Sequence, residues 1–176
     1  MGVSAGDIKK LREMTSCGII DCKKALEETN GNFDQAKEVL QKRGLELALK
    51  KSGRPAKEGR VESYVHMGSK LAVLVEVNCE TDFVAKSQDF CNFTKDLAVH
   101  IAACPAQYIK QEDIPAAVIE SQSDPETFIK ENSLMNQAFV KDPKITMQDY
   151  LNMTIAKLGE NIFVNRFVRY KVGEVE

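Results

Sequence analysis

Leu71-Ala72-Val73-Leu74-Val75-Glu76-Val77-Asn78-Cys79, followed at once by Glu80-Thr81-Asp82-Phe83-Val84-Ala85, decides how this chain is read. Leu71, Val73, Val75 and Val77 alternate with Ala72, Leu74, Glu76 and Asn78. That period of two predicts a strand with one well-buried face. The alternation ends at Asn78, and an acid, a hydroxyl, a second acid and an aromatic follow before Ser87 opens a helix. An aromatic at such a strand-to-helix turn either packs inward, the commoner fate of a single Phe, or is presented to a partner. Glu80 and Asp82 lie two residues apart at the turn. That spacing reads as capping of the next helix or solvation of the turn rather than as a pair of catalytic acids.

Working outward, Val61 to His66 predicts a strand preceding this one, with Met67-Gly68-Ser69 as the turn into Lys70–Cys79. After Ser87, Phe90, Phe93, Leu97 and Ile101 fall on one helical stripe that ends before Pro105. Ile114-Pro115 and Asp124-Pro125 read as helix starts, with proline in the first turn. Thr146-x-x-Asp149 caps a helix carrying Met147, Leu151, Ile155 and Leu158, and Gly159 closes it. Ile162 to Val172 is the last strand, expected antiparallel to the hairpin. Residues 61–176 are thus expected to form an α+β domain, a three-stranded antiparallel sheet with helices packed on one face.

Residues 1–44 carry helical periods. Ser4 caps a helix with Ile8 and Leu11 inward, Gly18 breaks it, and a second helix from Ile19 to Thr29 buries Cys22, Ala25 and Leu26. Asn30-Gly31 supplies a stop, and Asn32 to Gln35 has capping-box spacing. The third helix carries Phe33, Ala36, Val39 and Leu40 and is expected to stop at Gly44. Three short helices of this kind resemble a ubiquitin-associated domain. So small a bundle has a thin core and often presents apolar surface to a partner. A basic run starts at Lys42, and residues 45–60 read as a solvated linker broken at Ser52-Gly53-Arg54-Pro55 rather than as a nucleic-acid contact.

Among 176 residues, 43% are hydrophobic and 28% charged, with a net charge of −2, as in ordinary globular chains. Residues 1–60 hold 13 Lys and Arg against 9 Asp and Glu, and the remainder 11 against 17. This excess is too small for strong attraction to nucleic acid. No apolar run is long enough for a membrane span or a signal peptide. The five cysteines, Cys17, Cys22, Cys79, Cys91 and Cys104, are odd in number and include no Cys-x-x-Cys pair. They read as reduced thiols, which points to the cytoplasm or an organelle matrix. Neither Gly-x-Gly-x-x-Gly nor a phosphate loop is present. His66 and His100 are the two histidines, and both read as structural. No cofactor, metal or enzymatic activity is expected; the chain reads as one that acts by binding.

The strand and turn, with Thr81-Asp82-Phe83-Val84 behind Leu74-Val75-Glu76-Val77-Asn78-Cys79, resemble a signature of the elongation factor Ts family. Met14-Thr15-Ser16-Cys17-Gly18-Ile19-Ile20-Asp21-Cys22-Lys23-Lys24-Ala25-Leu26 is similar to that family's N-terminal motif. Leu97 to Ala103, Phe139-Val140-Lys141-Asp142 and Phe167 to Glu174 are similar to its later blocks, in the family's order. The resemblance implies guanine-nucleotide exchange on the GTPase elongation factor Tu. On it, the Thr81-Asp82-Phe83-Val84 turn is inserted near the GTPase's Mg2+, with Phe83 as wedge, Asp82 as polar anchor, and Thr81 and Val84 holding the turn. Ile19 and Ile20, with Arg12 nearby, dock on the nucleotide-binding domain. The single core subdomain implies a short form in which two subunits pair through the sheet. The Ile119–Leu134 stretch is shorter than the family's usual helical segment, and the coiled-coil protrusion of longer forms is not visible. Two other classes fit parts of the chain: an adaptor using the helical module alone, and an RNA-binding protein using the basic run.

Overall fold

The computed structural model describes residues 3–15 and 17–174. Three helices open the chain: α1 (Ala5–Thr15), α2 (Ile19–Glu28) and α3 (Phe33–Lys51). Ser4 and Asp7 cap α1 reciprocally, the Ser4 hydroxyl accepting the Asp7 N–H at 3.1 Å while the Asp7 carboxylate accepts the Ser4 N–H at 3.3 Å. Gly31, at φ +83°, donates its N–H to Leu26 O and turns the chain out of α2. The Asn32 side chain then accepts from the amides of Asp34 and Gln35, both at 3.1 Å, to start α3. Leu11, Cys22, Ala25, Leu26, Ala36 and Leu40 form the small core of this bundle.

The third helix does not stop at Gly44. It runs on to Lys51, so the first seven residues of the expected 45–60 linker are helical, and only 52–57 connect α3 to the sheet. The reason is tertiary. Gly44 is buried against the backbone of Asn152 and Met153, and Ala48 packs against the core of the second module. Packing of one face holds a helix through a residue of poor propensity. Lys51 donates to the Gly159 carbonyl at the far end, tying the helix terminus to the second module.

Next come β1 (Glu58–Val65) and β2 (Leu71–Cys79), the short α4 (Asp82–Ala85), and α5 (Gln88–Ala103). They are followed by α6 (Ala116–Glu120), α7 (Pro125–Asn132), β3 (Ala138–Phe139), β4 (Asp142–Thr146), α8 (Met147–Leu158) and β5 (Phe163–Lys171). The main sheet has the order β1-β2-β5 and is antiparallel throughout, as expected. Val73, Val75 and Val77 face inward and pack with Phe90, Phe93, Leu97, Ile101, Leu151 and Ile155 of α5 and α8. Ala72, Leu74 and Glu76 lie on the opposite face of β2, where Leu74 remains 47% exposed. Thr146 and Asp149 form the foreseen capping box on α8, and Gly159 ends it at φ +73°.

The four-residue α4 stands where a plain turn was expected, and a further strand pair was not foreseen either. Phe139-Val140-Lys141-Asp142 is the turn of a second, two-stranded sheet, β3 with β4. Two- and five-residue strands are too short for their alternation to stand out. His100 anchors this hairpin. Its Nδ1 accepts the Val140 N–H at 3.2 Å, so Nε2 carries the proton and donates to Gln137 Oε1 at 2.9 Å. The Gln137 amide group in turn donates to the carbonyls of Pro105 and Glu131. His100 is the satisfied structural histidine its apolar helix position suggested.

Candidate functional site

β2 ends at Cys79, and within three residues the backbone has reversed into α4. Thr81 is the N-cap of α4: its hydroxyl oxygen accepts the Val84 N–H at 3.3 Å. Asp82, Phe83 and Val84 therefore occupy the first helical turn, and their side chains diverge. Val84 is buried in the main core and holds the turn down. Phe83 points the other way and is 81% exposed. With four-fifths of its surface in water on a tethered turn, the ring is accessible from outside the molecule. The structure thus rules out inward packing of this ring.

Asp82 is exposed and pairs with Lys86 one turn on, at 2.7 Å. The hydrogen bond from Lys86, and then its charge, hold the Asp82 carboxyl below the usual carboxylate range. The same contacts raise the Lys86 ammonium. Asp82 is thus an ionised acceptor beside Phe83 at neutral pH. Glu80 does not cap the helix: its carboxylate accepts the Asn161 N–H at 2.6 Å, across in the loop before β5. Capping falls to Thr81, because a hydroxyl reaches the third amide of α4 while keeping a proton to donate. That proton goes to Glu160 Oε1 at 2.6 Å.

Behind the turn, the Cys79 thiol donates to Thr81 O at 3.2 Å. Burial, and then the charge of Glu160, push this thiol up to about 11, so it stays protonated. Burial likewise raises the thiols of Cys17, Cys22 and Cys104. All five cysteines are free.

The second group of expected residues lies on the helical module. Ile19 and Ile20 form the first turn of α2 and are 55% and 69% exposed, while Cys22, Ala25 and Leu26 of the same helix are buried. Arg12, near the end of α1, is exposed, as is Met14. Two adjacent isoleucines thus stand in water at the start of α2, and the exposed Arg12 lies on the preceding helix, while Met14 lines a cavity with Asp89, Tyr150 and Met153 of the second module. Among the described residues, no hydrogen bond or ion pair joins Ile19, Ile20 or Arg12 to the Phe83 turn. Glu160 is the residue that the sequence reading missed. It lies 79 residues from Thr81, beyond any local pattern, although the polar Gly159-Glu160-Asn161 break between an apolar helix and an apolar strand marks the place.

The family model described as Elongation factor TS matches residues 18–127 and 124–174. Elongation factor Ts of Thermoanaerobacter sp. (strain X514) is 46% identical over 195 residues, spanning 98% of this chain and 96% of that protein. That of Geobacter sulfurreducens is 46% identical over 197 residues, covering 99% and 91%. That of Alkaliphilus oremlandii is 48% identical with the same coverage. An alignment of 195 positions onto 176 residues leaves at least 19 positions (195 − 176) that this chain lacks. The two family-model segments meet at 124–127, where α7 begins. This is inside the Ile119–Leu134 stretch that reads as shortened. Likeness this close, running through both modules and the turn that exposes Phe83, shows that the chain belongs to the elongation factor Ts family of translation elongation factors.

Proposed function

We propose that this chain is a guanine-nucleotide exchange factor that binds elongation factor Tu carrying GDP, displaces its Mg2+ and promotes GDP release. The observation that carries the reading is Phe83, 81% exposed on a turn whose backbone is capped by Thr81 and whose neighbour Val84 is locked in the core. Burying one Phe side chain in a partner is worth about 1.5–3 kcal/mol, enough to offset a roughly 10- to 100-fold loss of nucleotide affinity. Exchange requires only that factor and nucleotide weaken each other's binding, and such coupling is reciprocal. No acid or base on this chain is needed. Moving Mg2+ removes the strongest counter-charge on the phosphates, so GDP leaves faster, and GTP then expels the factor.

In this reading Asp82 exchanges its Lys86 partner for a polar group of the GTPase. Ile19 and Ile20, margined by Arg12, dock on the nucleotide-binding domain and bring the wedge to its slot. The open face of the sheet belongs to the same account. Val61, Leu74 and Val168 line a shallow apolar depression of about 340 Å³ there, with Tyr170 and Val65 exposed beside it. A second copy of the chain covering this face gives a homodimer with two wedges. No helix among the described residues is long and apolar enough to cross a membrane.

Stopped-flow release of fluorescent GDP from elongation factor Tu tests the proposal. Acceleration that saturates with added protein is expected; unaltered release at saturating protein would overturn it.

A further inference from the structure

The loop that carries Phe83 and the loop that enters β5 are bound to each other by hydrogen bonds running in both directions. Glu160 Oε2 accepts the backbone N–H groups of Glu80 and Thr81, at 3.1 and 3.0 Å, and Glu160 Oε1 accepts the Thr81 hydroxyl at 2.6 Å. In return, Glu80 Oε1 accepts the Asn161 N–H at 2.6 Å. Asn161 also donates its side-chain amide to the Arg54 carbonyl at 2.7 Å, and the Arg54 guanidinium stands 3.7 Å from the Glu80 carboxylate. Asn161 is buried. Each of the two acidic side chains is spent on amides of the opposite loop.

We infer that Glu160 is the positioning residue for the Phe83 wedge, acting through Thr81. The inference rests on the exchange reading given above. Glu160 and α4 are joined through the hydroxyl of Thr81. A threonine hydroxyl has one proton and two lone pairs. The proton is committed to Glu160, which fixes the Thr81 rotamer and leaves a lone pair facing the Val84 N–H. That bond starts α4, and α4 has four residues, too few to hold itself together without its cap. Glu160 therefore sets Thr81, Thr81 sets α4, and α4 sets the direction of Phe83. Hydrogen bonds to a charged acceptor are about twice as strong as neutral ones, and this carboxylate receives three. The Cys79 thiol, donating to Thr81 O from the strand side, fixes the same residue from behind.

Without Glu160, the two amides and the hydroxyl turn to water, and the wedge must be ordered at the moment of binding. Fixing the backbone of one or two residues carries an entropic cost large enough to slow exchange by about tenfold or more. Glu160→Gln keeps one oxygen for the two amides but faces its NH2 toward Thr81, reversing the third bond, so it should fall between the parent and Glu160→Ala.

A double-mutant cycle with Phe83 tests this on the full chain, reading GDP release from elongation factor Tu together with thermal unfolding. Glu160→Ala is expected to slow release at least about tenfold, Glu160→Gln by less, and Glu160→Ala in a Phe83→Ala background to add nothing. If Glu160→Ala melts below the assay temperature, Glu160→Gln takes its place in the cycle. Folded Glu160 variants with parental release, or losses that multiply with Phe83→Ala, would overturn the inference while leaving the exchange reading intact. Parental release by Phe83→Ala alone would instead sink the exchange reading and the inference with it.

Discussion

Phe83 and His100 show two opposite uses of a ring. Phe83 has its surface in water, so removing it costs little stability. Phe83→Ala is expected to move the melting temperature by about 1–2 °C at most, as for surface substitutions generally. A fall of the size that a buried Phe gives, about 3–5 kcal/mol, would mean the ring is core. His100 is buried, and that burial holds its imidazole below the ordinary 6.5, against a smaller opposing effect of the Gln137 bond. The sign follows from proton counts. Below pH 6.5 the unfolded histidine takes up a proton that the folded one refuses, so stability falls as pH drops from that point. Above it, the two states bind protons equally and the contribution is flat. Urea midpoints at pH 7.5 and 5.5 should differ more for the parent chain than for His100→Gln; equal differences would show that His100 does not titrate as the hairpin anchor.

At the scale of elements, α3 is the instructive case. Gly44 reads as a stop because glycine commonly ends helices, yet the structure continues for seven residues. What overrides the local signal is α8, which packs against Gly44 and Ala48 from another part of the chain. A Cβ added at Gly44 would lie 3.5 Å from Asn152 O, an ordinary contact. Gly44→Ala should therefore stabilise the protein by about 0.5–1 kcal/mol through helix propensity. A lower melting temperature for this variant would show that the α3–α8 approach is tighter than the structure has it. Strands β1, β2 and β5, helices α5 and α8, and the caps at Ser87, Asp124 and Thr146 were legible because each is a long period or a local bond. The β3–β4 hairpin and the Glu160 latch were not, since one is too short to show a period and the other joins residues 79 apart. At the docking edge, Ile20→Asp places a carboxylate in the first turn of α2, where the helix dipole favours it. The fold should be unaffected, while affinity for elongation factor Tu falls about 10- to 100-fold, the worth of one buried Ile. Unchanged affinity in a calorimetric titration would remove the helical module from the docking surface.

For the whole molecule, the outer face of the sheet is a further exposed apolar surface among the described residues. Strand β2 is flanked on both sides, but β1 and β5 are edges, and Val61, Val65, Leu74 and Tyr170 stand exposed. Self-association through this face is expected, giving the mass of a dimer in sedimentation equilibrium at about tens of micromolar. Leu74→Lys should shift that equilibrium toward monomer, since it puts a charge at the middle of the patch. A monomeric parent chain over that range would show that one subunit suffices.

The central claim is that an exposed aromatic, held rigidly at the end of β2, pries nucleotide from a GTPase. Release of fluorescent GDP from elongation factor Tu, measured at saturating concentrations of the parent chain and of Phe83→Ala, tests it most directly. The account predicts strong acceleration by the parent and, from a variant that still folds and still binds, a loss of at least about tenfold in that acceleration, the worth of one buried Phe. Equal acceleration by the two proteins would contradict it.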